Sequence, residues 1–141
     1  GNLISDEFYS VTYKNNTQVG KAKVKVTFRT HYKGSIEKSF VINPAETKIK
    51  KVYVTRNSVI VNWKKAKDEV DGYVIQLAKD KKFTKGLKKI EVKGSNVGGT
   101  EIKKLKAGTE YYIRIATFKK VGNKTYTSKY TLYDKTVKIE K

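Results

Sequence analysis

With 141 residues and 38% hydrophobic content, the chain has material for one ordinary domain or two small ones, its apolar bulk spread thinly and weighted toward ten Tyr, five Phe and one Trp. No Cys, no Met and a single His exclude disulfides, zinc–thiolate centres and cysteine nucleophiles, and no apolar run reaches the length of a membrane span. The formal charge is +19, from 32 Lys+Arg against 13 Asp+Glu, and it sets up a field that attracts polyanions.

The opening residues GNLISDEF are acidic and polar, unlike a secretory signal peptide. Gly1 reads as an expression scar, with the chain then a piece of a longer protein. Strand signals follow in order. FYSVTYKNN places Tyr9, Val11 and Tyr13 on one face. In GKAKVKVTF, Ala22, Val24, Val26 and Phe28 alternate with Lys21, Lys23, Lys25 and Thr27, which predicts a half-buried strand with a lysine-coated outer side. A third run ends with Phe40 and Ile42, just before Pro44, the only proline. Proline cannot continue a strand ladder and biases its predecessor to extended geometry, so a domain boundary is expected here, splitting the chain into 1–45 and 46–141. Charge divides unevenly across it. Residues 1–45 hold seven Lys/Arg and three Asp/Glu, or +4; residues 46–141 hold 25 and 10, or +15.

Beyond the boundary, Ile49, Val52 and Val54 begin a new run. SVIVNWK sets Val59, Val61 and Trp63 on one face, and GYVIQLAK sets Tyr73, Ile75 and Leu77 on one face with Val74 opposite. KKIEVK is paired by Ile90 and Val92. YYIRIATF sends Tyr111, Ile113, Ile115 and Thr117 inward and Tyr112, Arg114, Ala116 and Phe118 outward, and KTVKIEK closes with Val137 and Ile139 in step. KNNTQVG, HYKG, KDEVDG, KGSNVGG, KAG and KKVGNK supply turn chemistry between the runs. KDKKFTKG is the best helix candidate and is too short and too weakly periodic to be one. Short strands joined by tight turns must be antiparallel, so the expected fold is all-β, two antiparallel β-sandwich units.

One stretch, LKAGTEYYIRIATF, carries more than alternation. Leu105, a turn through Lys106-Ala107-Gly108, and Tyr111 at the head of a strand form the pattern of a corner between two sheets. Together with Trp63 at the end of its strand and Tyr73 after Gly72, residues 48–141 resemble a fibronectin type III domain, a seven-stranded sandwich. The resemblance implies a buried tyrosine whose hydroxyl turns back to the backbone between Leu105 and Gly108. It also implies structural roles for Trp63, Tyr73, Leu105 and Tyr111. The family often has proline where this chain has Ala107, which loosens the corner slightly. The wording of WKKAKDEVDGYVIQLAKDKKF and GNKTYTSKY resembles copies in surface and secreted proteins of Gram-positive bacteria. Residues 1–45 resemble part of a bacterial immunoglobulin-like repeat, through Tyr9-x-Val11-x-Tyr13-x-Asn15-Asn16, Gly20, Tyr32-x-Gly34 and Phe40-x-Ile42.

What these resemblances imply is a non-catalytic structural or spacer module of a larger extracellular or cell-surface protein, with neighbouring domains as its partners. The alternative is a module that binds carbohydrate or an anionic cell-wall polymer such as teichoic acid. For that reading the lysines of the loop between the sixth and seventh strands, Lys119, Lys120 and Lys124, are the favoured contact, because loops at a sandwich end are the usual recognition surface. Solvation of strand faces explains most other lysines. Tyr126, Tyr130 and Tyr133 lie at uneven spacing and read better as core and rim than as a stacking platform. Specific nucleic-acid binding is not expected, since 29 of the basic residues are Lys and no aromatic recognition motif, zinc knuckle or basic helix is present. No enzyme site is expected. His31 sits in THYKGS without a Gly-x-Ser-x-Gly elbow, and Asp68, Glu69 and Asp71 lack calcium-loop spacing. GSNVGG has neither the Lys-Ser/Thr nor the helix of a phosphate cradle, and no cofactor or metal is expected.

Overall fold

The computed structural model describes residues 9–14, 18–28, 34–66 and 70–140, and these form strands and turns without a helix. They gather into two compact units, Gly1–Asn43 and Pro44–Lys141. His31, Tyr32, Asn15, Asn16, Asp68 and Glu69 lie outside the described residues.

The first unit contains β1 (Tyr9–Lys14), β2 (Gly20–Phe28) and β3 (Ser35–Ile42), in spatial order β1-β2-β3 and all antiparallel. The lysine alternation sets the faces. Pairing of Tyr13 with Val24, Val11 with Val26, Val26 with Ile36 and Ala22 with Phe40 collects the apolar residues on one side. Lys21, Lys23 and Lys25 take the other, where Lys23 Nζ lies 3.1 Å from Glu37 Oε1. In place of the expected partial sandwich, the described residues here form a single three-stranded layer. Its apolar side is consequently open in places: Val11, Tyr13, Ile36 and Phe40 are all exposed, while Ala22 is fully buried.

The second unit is a two-layer sandwich. One sheet has the order β4-β5-β8, from β4 (Ile49–Val54), β5 (Val59–Trp63) and β8 (Gly99–Ile102). The other runs β10-β9-β6-β7, from β6 (Gly72–Ala78), β7 (Lys88–Lys93), β9 (Glu110–Val121) and β10 (Lys124–Thr127). The segments β11 (Thr131–Leu132) and β12 (Val137–Lys138) continue along the same edge of β9, so the last strand is broken into three pieces. Strand period 2 delivers Val59, Val61, Trp63, Tyr73, Ile75, Leu77, Ile102, Tyr111, Ile113 and Ile115 into one core between the sheets, and Leu105 joins them from the connection between β8 and β9. A fully buried side chain of this size stabilises the fold by about 1.5–3 kcal/mol. The rings of Trp63 and Tyr73 meet at 5.1 Å and 48°.

The outer face of the larger sheet corrects the sequence reading. Ala116, Phe118 and Val74, expected outside, are buried, and every residue of β6 is buried on both faces. The reason is a second, smaller layer of packing. The Asp80–Gly86 turn carries Phe83, itself buried, and the Arg114 guanidinium stacks over the rings of Phe83 (4.1 Å) and Tyr130 (4.4 Å). Gly72 completes this layer by close approach. A Cβ there would run into the Val92 carbonyl oxygen and come within 2.8 Å of the Phe118 ring.

Candidate functional site

The four residues singled out as structural sit at two ends of the core, Trp63 and Tyr73 at one and Leu105 and Tyr111 at the other. Tyr73 is fully buried, and its hydroxyl donates to Ser95 O (2.8 Å) and accepts from Ala66 N–H (3.0 Å). The ring thus fixes the turns on either side of β6 and β7 to the core. At the corner, Leu105 is buried and its N–H donates to Asn57 O (2.8 Å), while Tyr111 Oη accepts from Lys106 N–H at 3.4 Å. That distance is long for an N–H···O bond. More of the corner's order comes from backbone: Gly108, at φ 73°, donates to Ile139 O, and Ile139 N–H donates to Thr109 O. Trp63 Nε1 is buried and has no acceptor among the described residues, and its ring packs against that of Tyr73.

The loop lysines do not converge. Lys119 Nζ lies 3.7 Å from Asp71 Oδ1, and Lys120 N–H donates to Asp71 Oδ2 (2.6 Å). Asp71 is further anchored, its N–H to Phe118 O and its carbonyl to Gly94 N–H. The acid read as part of a solvated turn therefore opposes the charge at the base of the loop. Lys124 Nζ sits 5.4 Å from the centroid of the Tyr126 ring on the same hairpin. Tyr126 and Tyr130 are buried and half-buried against their own sheet, and Tyr133 packs on the main core, so these three form no platform.

Two other electrostatic features serve the scaffold. Asp80 accepts from Thr84 Oγ1 (2.6 Å), Thr84 N–H (2.9 Å) and Lys85 N–H (2.8 Å), which lowers its pKa from 3.8 to about 2. It organises the turn that delivers Phe83. Arg114 Nε–H donates to Gln76 Oε1 (2.8 Å), and burial raises the pKa of Tyr130 while the Arg114 charge partly offsets the rise. Among the described residues no three His, Cys, Asp or Glu side chains are grouped to hold a metal.

Concavity and unopposed charge coincide elsewhere, at a place the sequence reading missed. Where the edge strand β4 of one sheet faces the broken last strand of the other, a groove of about 540 Å³ is lined by Lys48, Ile49, Lys50, Thr131, Leu132, Tyr133, Asp134 and Lys135. A neighbouring hollow of about 280 Å³ shares Lys48 and Thr131 and adds Glu46, Thr47 and Lys64. The floor is stitched by Lys64 N–H to Lys48 O (3.0 Å) and by Thr47 Oγ1 to Lys64 O. Lys48, Lys50, Lys64 and Lys135 are all exposed, and among the described residues none is in an ion pair. Lys48 and Lys50 lie more than 80 positions from Lys135 in sequence, so no local pattern announces the convergence. The one local signal is that exposed Lys48 and Lys50 flank buried Ile49.

The profile of the fibronectin type III domain matches residues 43–132. The fold is similar to the solution structure of the fn3 domain of human collagen alpha-1(XX) chain, with a TM-score of 0.54 and 15% identity over 70% of this chain and 87% of that one. It is also similar to the crystal structure of the chicken CNTN1 FN1-FN3 domains, with a TM-score of 0.53 and 18% identity, covering 95% of this chain and 54% of that one. At these identities the likeness is one of fold. No curated protein matches the sequence. The profile covers more than half of the chain and spans most of its two-layer sandwich, and the chain belongs to the fibronectin type III family.

Proposed function

We propose that the chain is a non-catalytic structural module of a larger modular protein, displayed at the surface of, or secreted by, a Gram-positive bacterium. In this reading Gly1–Asn43 is part of an immunoglobulin-like repeat and Pro44–Lys141 the fibronectin type III module that follows it. Fibronectin type III domains are common non-catalytic modules of multidomain proteins, and they are typically extracellular. The observation that carries the reading is the sandwich itself: a well-filled core in one compact unit, directly following a second β unit in the same chain. A spacer needs stiffness and a defined length, and the two-sided packing of β6 and β9 supplies the first. The test is replacement of residues 44–141 in the parent protein by an unrelated sandwich of equal length. Surface display and the activity of neighbouring domains should survive. Loss of either, restored only by the native sequence, would contradict the spacer role.

A second reading, binding of carbohydrate or an anionic cell-wall polymer, is favoured by one observation: Lys48, Lys50 and Lys135 line the groove and Lys64 its neighbouring hollow, and among the described residues none of the four is in an ion pair.

A further inference from the structure

We propose that this groove, and not the loop at Lys119–Lys124, binds a linear phosphodiester polymer without bases, through Lys48, Lys50, Lys64 and Lys135. The proposal rests on the second reading above and gives it a place and a ligand chemistry.

Three observations lead there. First, the base of the loop holds a carboxylate that would repel an anion: Asp71 lies against Lys119 and accepts from the Lys120 backbone N–H, and Lys124 lies over Tyr126. Among the described residues Lys48, Lys50, Lys64 and Lys135 are in no ion pair. Second, the groove and its neighbouring hollow share Lys48 and Thr131, so the concavity is elongated and open, a shape for a chain passing through and not for a compact ligand. Third, the chemistry of the lining selects among anionic chains. All four cations are lysines, compact point charges that suit a single phosphate charge. Arginine grips carboxylate and phosphate alike through its bidentate fork, whereas lysine meets a phosphate as a point charge. The chain has three arginines, none lines the groove, and Arg114 is committed to Phe83, Tyr130 and Gln76. Among the described lining residues Tyr133 is the single aromatic and is partly packed on the core, so the groove lacks the succession of rings on which bases stack. Thr131 adds a hydroxyl that can donate to a phosphate oxygen.

The lining also contains Glu46 and Asp134. Four lysines against two carboxylates leave a local charge of +2. The acids repel a polyanion, which gives the proposal a second handle: removing them should tighten binding.

The experiment uses the whole chain with purified poly(glycerol phosphate) as probe, followed by calorimetry at about 50 and about 200 mM salt, a range over which polyanion binding falls steeply. The first variant replaces Lys48, Lys50, Lys64 and Lys135 by Gln. Its control replaces Lys81, Lys82, Lys89 and Lys93, exposed on another part of the same unit, and so has the same net charge. All eight side chains are exposed, and a thermal melt checks that both variants are folded. The groove variant should weaken binding about tenfold or more and flatten its salt dependence, while the control should change it by less than about threefold, as expected when specific phosphate contacts and not diffuse charge dominate. Glu46→Gln with Asp134→Asn should strengthen binding more than Glu91→Gln with Glu110→Gln does. Equal loss in the two lysine variants would overturn the groove and leave the broader polyanion reading standing. No measurable binding by the unmodified chain would overturn both. Tighter binding of single-stranded RNA than of poly(glycerol phosphate) through the same four lysines would overturn the assignment to a polymer without bases.

Discussion

Removing the hydroxyl of Tyr73 should destabilise the protein more than removing that of Tyr111, although Tyr111 is the residue that the corner motif singles out. Tyr73 Oη makes two bonds of good length, to Ser95 O and from Ala66 N–H, at a fully buried ring. Tyr73→Phe leaves two backbone groups without that partner. At about 1 kcal/mol per hydrogen bond the loss is about 2 kcal/mol, and more if neither group recovers water. Tyr111 Oη accepts one bond at 3.4 Å, so Tyr111→Phe should cost about 0.5 kcal/mol. For a unit of this size, about 1 kcal/mol moves the melting temperature by about 4–8 °C, so the expected shifts are about 8–16 °C for Tyr73→Phe and about 2–4 °C for Tyr111→Phe. Trp63 provides the assay. It is the only tryptophan, it is buried, and it lies 5.1 Å from Tyr73, so its fluorescence reports unfolding of this unit. Urea titration of both variants on that signal would separate stability from changes in slope. A Tyr111→Phe loss equal to or larger than that of Tyr73→Phe would refute the reasoning.

Gly72→Ala should be among the most damaging single substitutions, at about 3 kcal/mol or more, because the added methyl meets a backbone carbonyl and the Phe118 ring at once; chemical denaturation reads this directly. Asp80 should titrate near pH 2 by carbonyl-detected NMR, with the Thr84 and Lys85 amide signals moving together. Because its folded pKa is depressed, its contribution is complete above the ordinary value of 3.8 and is lost as pH falls through about 2, and a midpoint near 4 would contradict the turn's geometry. Arg114→Gln should expose Phe83 and raise the Tyr130 pKa further, since the nearby cation now lowers it; ultraviolet difference titration would show no upward shift if Arg114 did not lie on that ring.

Much of the architecture was legible because strand period 2 is strong wherever only one face is buried. GKAKVKVTF announced β2, and SVIVNW announced β5 with its buried Trp63. The same rule misled at β6 and β9, where both faces are covered and alternation no longer separates inside from outside. Phe118 looked external because its cover, the Phe83 turn and the Arg114 stack, comes from segments distant in sequence. β8 was not identified as a strand: GTEI is four residues long, begins with a glycine and has no alternation to offer. The broken last strand was also illegible, since β10, β11 and β12 exist as pairings with β9 more than as patterns of their own. The lysines of the groove were visible as charge. Their convergence was not, because it depends on how the edge of one sheet meets the edge of the other. Asp71 illustrates the converse: it was read as solvated turn chemistry, and its partner Lys119 lies 48 positions away.

The central claim is that Pro44–Lys141 is a self-sufficient module. Its most direct test is to excise residues 44–141 and follow urea unfolding by Trp63 fluorescence beside the full chain. The account predicts a single cooperative transition whose midpoint and slope match those of the Trp63 transition in the full chain. An excised unit that is unfolded in buffer, or that melts without cooperativity, would contradict it.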